Sequence, residues 1–250
     1  MYRNITTQAI VIRRERYGEF HKSLTLLTSD LGLIGATAYG AYKMQSRLRL
    51  GSEPFTWSQI QLYHNPVKKS YKVMEMEVRR DHHGLQGDLG RFAAASLWAE
   101  IVHRSYGAGE TTGRLFELFR DCLAILERGT DRDVPYVTLL FLWQFLSLAG
   151  YQPDIEGCER CGARLEGRTA YYSSHANTIL CPACGETFGE PIPAGALRYL
   201  AAVQELPLDR AVEIRMEPDG LRALRDILPR IVQAVLESEL TSLRWVGDVR

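Results

Sequence analysis

Two pairs of cysteines, Cys158-Glu-Arg-Cys161 and Cys181-Pro-Ala-Cys184, are separated by nineteen residues. A Cys-x-x-Cys turn aims two sulfurs at one point, and two such turns 15–20 residues apart have the spacing of a tetrahedral zinc site. Gly162 and Gly185 follow the second cysteine of each pair, where a knuckle calls for a residue that accepts positive φ, and Pro182 stiffens the second turn. Four thiolates leave no coordination position for water or substrate. The expected ligands Cys158, Cys161, Cys181 and Cys184 therefore describe one structural Zn²⁺ per chain that performs no reaction. Two disulfides or redox pairs are the competing readings, and the spacing together with a reducing, cytosolic character weighs against them.

The elements that must carry this module are helical. After Arg80 the apolar residues recur with a period near 3.6, giving helices at Asp88–Tyr106, Gly113–Glu127, Asp133–Ala149, Ala194–Gln204 and Asp219–Leu243. Phe92, Ala95, Leu97 and Ile101 form the apolar positions of the first, which a Gly107-Ala-Gly109 break follows. The third, with Pro135 in its first turn and Gly150 just past its end, is apolar nearly throughout, so Trp143 and Phe145 are expected in the core. Pro229 should kink or divide the last helix. Thr169–Ser173 and Asn177–Leu180 read as a short hairpin between the knuckles, which makes the cysteine module an insertion in one helical bundle. His82-His83, in the link at 81–87, reads as solvated linker rather than a metal pair, because adjacent residues point apart.

The 250 residues carry 46% hydrophobic and 24% charged residues, an ordinary globular composition with room for two domains and an inserted module. Residues 1–10 lack the apolar core of a signal peptide, and the chain has no run of about 18 apolar residues, so a cytoplasmic protein without membrane association is expected. The formal net charge of zero conceals a division. Residues 1–80 hold 13 Lys and Arg against 6 Asp and Glu, a surplus of +7, which leaves −7 for the remainder.

In this basic segment the apolar period is two. Five strands are expected at Thr6–Arg16, Lys22–Ser29, Leu33–Tyr39, Phe55–Tyr63 and Ser70–Arg79, with a bulge between Trp57 and Ile60 where the alternation slips. Five short strands suggest closure, and an oligonucleotide-binding (OB) barrel fits; a small open sheet or an SH3-like barrel are the alternatives. Arg13, Arg14, Arg16, Lys22, Lys43, Arg47, Arg49, Lys68, Lys69, Arg79 and Arg80 are candidate phosphate contacts, with Tyr42 as a stacking ring. Tyr17, Phe20, Tyr39, Trp57, Tyr63 and Tyr71 are interleaved with them. Cations that track phosphates and rings that stack on bases are what single-strand binding uses. For any one residue, edge protection or core packing is the competing reading.

The run from Lys22 to Ala41 (KSLTLLTSDLGLIGATAYGA), then a basic loop, then Glu53-Pro54-Phe55, resembles the N-terminal domain of the RecO recombination-repair family, and the later elements follow in that family's order. The resemblance implies a multidomain α+β protein with three parts. These are an OB barrel (1–80), a helical domain (81–156 and 186–250) and a four-cysteine zinc module (157–185). It further implies a nucleoid-associated bacterial protein that binds single- and double-stranded DNA, anneals complementary strands, and works with RecR and the single-strand binding protein to help RecA load. For the acidic tail of that binding protein the helical body offers Arg91, Arg104, Arg114 and Arg120.

The chain contains no phosphate-binding Gly-Lys-Ser/Thr loop, no Gly-x-Ser-x-Gly turn and no His-Glu-x-x-His motif, so neither a nucleotide motor nor these hydrolases is expected. An enzymatic alternative is a Mg²⁺-dependent nuclease or phosphodiesterase built on Glu75, Glu77 and Asp81. Cross-strand pairing of Glu75 and Glu77 with Lys72, Arg79 and Arg80 is the reading set against it.

Overall fold

A computed structural model describes residues 3–105 and 112–247. The first five strands, β1 (Asn4–Tyr17), β2 (His21–Thr28), β3 (Gly32–Ala38), β4 (Trp57–Asn65) and β5 (Ser70–Arg80), close a barrel in the order β1-β2-β3-β5-β4. All ladders are antiparallel except β3 with β5. A short turn of helix, α1 (Leu48–Gly51), lies in the connection from β3 to β4. This is the OB order, and it resolves the choice between barrel and open sheet. Alternation drives closure: Ala9, Val11, Leu24, Leu26, Ile34, Ala36, Ile60, Leu62 and Val73 point inward and form the barrel core. The ladder slips between Trp57 and Ser58, within the expected bulge, and again at Gln61/Leu62 and Val11/Arg13.

A 3-10 turn (His83–Gly87) leads into α2 (Leu89–Arg104), whose Asp88 accepts a hydrogen bond from the Arg91 amide as N-cap, and α3 (Thr112–Arg128) follows. The break expected at 107–109 lies outside the described residues. Both helices pack on the barrel, α2 against β1 and α3 against β2 and β3. Of the apolar positions expected in α2, Ala95, Leu97 and Ile101 are fully buried. Phe92 is 37% exposed and sits edge-on to Phe55, with ring centroids 5.5 Å apart.

By contact density the chain forms two compact units, one running through Arg128 and including the chain from Arg244, the other spanning Gly129–Leu243. The division falls later than the change of period at 81–87. The reason is that α2 and α3 bury their apolar faces against the barrel. In the second unit α4 (Val134–Ala149) packs on α6 (Ala194–Gln204) and α8 (Pro218–Leu236). Trp143 and Phe145 are core, and Gly150 ends α4 at φ 76°, the left-handed conformation expected of it. The short helices α7 (Leu208–Ala211) and α9 (Leu243–Gly247) complete the helical set among the described residues. Pro229 lies inside α8 without dividing it, and α8 stops at Leu236 rather than at 243, with Glu237 left-handed at its end.

Between α4 and α6 the inserted module forms β6 (Ala170–Ser173), β7 (Thr178–Leu180), the turn α5 (Pro182–Gly185) and β8 (Glu190–Ile192). The first two are the expected hairpin. The third strand was not anticipated, because it is short and contains a proline. The sheet order β7-β6-β8 places it at an edge, where Pro191 costs no ladder bond.

Candidate metal centre and nucleic-acid interface

The four cysteine sulfurs lie within 4.8 Å of one another, and Cys161 Sγ and Cys181 Sγ are 3.7 Å apart. A tetrahedron of sulfurs about 2.3 Å from a central ion has edges of about 3.8 Å, so the set fits a metal ion. The knuckles are built by local backbone bonds. Gly162 N donates to Cys158 O at 2.7 Å with Gly162 at φ 72°, and Cys184 N and Gly185 N both donate to Cys181 O. Gly185 is required for a different reason from the one expected, since its φ is not positive. A Cβ there would come within 2.7 Å of Tyr171 Cβ, so the glycine admits the close approach of α5 to β6. Pro182 occupies the first position of α5, as its stiffening role requires.

The thiols differ in their local electrostatics. Burial raises the Cys158 thiol, but the backbone N–H groups of Cys181, Cys161 and Arg160 outweigh it and hold this thiol at about 6. Cys184 is pushed up to about 12, first by its hydrogen bond with Cys161 and then by desolvation. Metal binding by such a set requires the thiols to be deprotonated and releases their protons. Cys122, buried in α3, is apart from this set, and burial raises its thiol. Among the described residues no other cluster of three or more His, Cys, Asp or Glu side chains converges. Glu75, Glu77 and Asp81 do not form one. Glu77 is bound by Arg79 two residues along the same strand at 2.9 Å, not across strands, while Arg79 reaches Gln59 at 2.7 Å and Asp81 accepts from the His83 amide.

On the barrel, the register gathers residues distant in sequence. Tyr17 pairs with His21, Lys22 with Ala38, Thr37 with Lys72, and His64 with Tyr71. The β1–β2 turn, the end of β3, the start of β5 and the β4–β5 turn thus follow one another along one edge. Rings line it: the half-buried His21 lies between exposed Tyr17 (6.3 Å) and exposed Tyr39 (5.0 Å), Lys72 is 5.6 Å from the Tyr39 ring, and the half-buried Tyr71 lies 4.8 Å from His64. In the β4–β5 turn Asn65 Oδ1 accepts from the amides of Val67 and Lys68, a fixed turn that carries exposed Lys68 and Lys69. Lys43, Arg47 and Arg49 are exposed on the β3–β4 connection, and Lys43 lies over Phe20. Among the described residues no carboxylate pairs with Arg16, Lys43, Arg47, Arg49, Lys68, Lys69 or Lys72, whereas Arg13 pairs with Glu15 and Arg14 with Glu53.

Four expectations change here. Lys22 is not a surface cation: it is 1% exposed, since it shares the inward parity of Leu24 and Leu26, and its ammonium bonds Ser52 and Glu53 internally. Tyr42 is not a free-standing ring: it is 37% exposed, but Arg16 and Lys22 lie at 5.8 and 5.0 Å from its ring and Arg14 donates to its hydroxyl. Arg79 and Arg80 stand at the far end of β5 from Lys72, and Arg80 is bonded to Glu127 at 2.7 Å. His82 is not solvated linker. Its side chain is buried with Nδ1 3.1 Å from the same Glu127 carboxylate, and burial lowers it below its ordinary value near 6.5 against the pull of that carboxylate. Of the arginines expected to form a patch, Arg104 and Arg120 are tied to Glu100 and Asp121, Arg91 donates to the Glu127 carbonyl, and Arg114 is exposed.

A closed five-stranded OB barrel with a cationic edge, continued by helices and a four-cysteine insert that could hold a metal ion, is an architecture suited to nucleic-acid binding. Residues 1–81 match the family model described as Recombination protein O N terminal, and residues 86–244 match Recombination protein O C terminal. The chain belongs to the RecO family of DNA repair proteins. The two models part at 81/86, where the sequence period changes from two to 3.6. Similar proteins include the DNA repair protein RecO of Dehalococcoides mccartyi strain 195, 27% identical over 97% of this chain and 95% of that one. That of Desulfatibacillum aliphaticivorans is 29% identical over 98% and 97%. That of Roseiflexus sp. strain RS-1 is 30% identical over 98% and 85%. No described helix is long and apolar enough to cross a membrane.

Proposed function

We propose that this protein is a non-enzymatic mediator of recombinational repair. It binds single- and double-stranded DNA through the barrel edge, anneals complementary strands, and with RecR helps load RecA onto DNA coated by the single-strand binding protein. The carrying observation is a set of cations with no carboxylate partner among the described residues: Arg16, Lys68, Lys69 and Lys72 along the barrel edge, and Lys43, Arg47 and Arg49 on the β3–β4 connection, with the exposed rings of Tyr17, Phe20 and Tyr39 beside Arg16, Lys43 and Lys72. Annealing needs no covalent step: a surface that neutralises phosphates on two strands lowers their mutual repulsion, and release of condensed counterions drives the binding. DNA is assigned to residues 1–80, protein partners to the helical segments 81–156 and 186–250, and support to the module at 157–185. The metal there is one Zn²⁺, because a closed four-thiolate set suits a d¹⁰ ion with tetrahedral preference. The protein works in the cytoplasm, at the nucleoid.

The test is annealing of complementary oligonucleotides without Mg²⁺ or nucleotide. Acceleration by the protein at substoichiometric salt-sensitive occupancy is expected. Strand cleavage on adding Mg²⁺, abolished by Glu75→Gln or Glu77→Gln, would overturn the reading in favour of a nuclease.

A further inference from the structure

Among the described residues Lys22 is one of the largest fully buried side chains, and it is the one charged member of that group. Burying an ammonium is costly unless its donors are satisfied. Here Nζ donates to Ser52 Oγ and Glu53 Oε1, each at 2.8 Å, and reaches the Arg49 carbonyl at 3.5 Å, with the Tyr42 ring 5.0 Å away. Every one of these groups belongs to the 40–56 connection. Glu53 holds a second cation, Arg14, through its other oxygen at 3.1 Å, and Arg14 in turn donates to the Tyr42 hydroxyl at 3.3 Å. The start of the connection is stapled separately, by Gly40 N donating to His21 Nδ1 and Tyr42 N donating to the Phe20 carbonyl. Replacing such a pair by apolar side chains is often neutral or stabilising, so a pair with Lys22 buried and Glu53 partly exposed points to a role in fixing one geometry of the loop.

We propose that Lys22 is a positioning residue for DNA binding. Without touching a phosphate, it fixes the connection that presents Arg47 and Arg49, and through Glu53 and Tyr42 it sets the orientation of Arg14. This rests on the reading that the loop contacts DNA. A loop held in one conformation loses less entropy on binding than a free one, so the brace raises affinity by preorganisation.

The full-length protein is measured for single-stranded oligonucleotide affinity at several salt concentrations, with melting temperature as control. Ser52→Ala leaves every charge in place and removes one strut, and Lys22→Arg keeps the charge but puts a planar fork where a compact ammonium fits. Both are expected to weaken binding several-fold in protein that remains folded at the assay temperature. The losses should be strongly non-additive with Arg47→Ala/Arg49→Ala, because once the arginines are gone the brace has nothing to position. Full affinity in both Ser52→Ala and Lys22→Arg, or additive losses, would overturn the positioning role alone. Unchanged affinity in Arg47→Ala/Arg49→Ala would instead overturn the reading on which it rests.

Discussion

The cysteine module and the barrel edge are two candidate functional regions written into the sequence in different ways. In the module all four ligands fall within 27 residues, and the two turns that aim the sulfurs are local, so residue type and spacing suffice to place them. The barrel edge is assembled from β1, β2, β3, β4 and β5, and its members become neighbours only through the ladder register. A cluster read from local spacing survives folding nearly unchanged. A cluster read from charge count is sorted by the fold into cations that face solvent alone, cations spent on carboxylates, and one that is core.

Removing the metal should give the largest effect, and it should separate the two regions. Chelation, or Cys161→Ser, is expected to lower metal content and melting temperature together, since metal binding at such sites supplies on the order of 10 kcal/mol that is coupled to folding of the knuckles. Oligonucleotide affinity of protein that remains folded should stay within about twofold. Loss of DNA binding in step with metal would break the comparison.

A smaller effect is expected from the rings. Tyr39→Ala and Tyr17→Ala should each weaken single-strand binding by about 1–3 kcal/mol with little change in its salt dependence, and Tyr42→Ala by less, because the Tyr42 ring is held among Arg14, Arg16 and Lys22. Equal losses at Tyr39 and Tyr42 would return Tyr42 to the stacking set.

The smallest concerns the junction after β5. Burial disfavours the charged form of His82, so its folded value lies below that of the unfolded chain. The unfolded state therefore binds the extra proton first, and the stability this contributes is present above about 6.5 and is lost as pH falls from there toward the folded value. Melting temperatures between pH 5 and 8 should show this decline, and His82→Gln should flatten it. A decline that persists unchanged in the variant would assign it to other groups.

How much of this was legible follows from particular residues. The barrel strands, the hairpin between the knuckles and α6 were readable because each has its own period or turn. The inward position of Lys22 was readable too, since it shares parity with Leu24 and Leu26; the charge of the residue masked the pattern. The pairing of Arg80 and His82 with Glu127 was not, because no local rule joins positions 47 and 45 residues apart. The third strand of the module escaped because three residues with a central proline carry no strand signal of their own.

The central claim is that DNA meets the barrel at the edge carrying Arg47 and Arg49, not at the far end of β5. The direct measurement is the slope of log affinity against log salt for a single-stranded oligonucleotide, in Arg47→Ala/Arg49→Ala and in Arg79→Ala/Arg80→Ala. Two lost phosphate contacts should flatten the slope by about 1.4 in the first pair, and the second pair, already bonded to Gln59, Glu77 and Glu127, should leave it unchanged. A flattened slope in the second pair with none in the first would place the interface at the opposite end of the barrel.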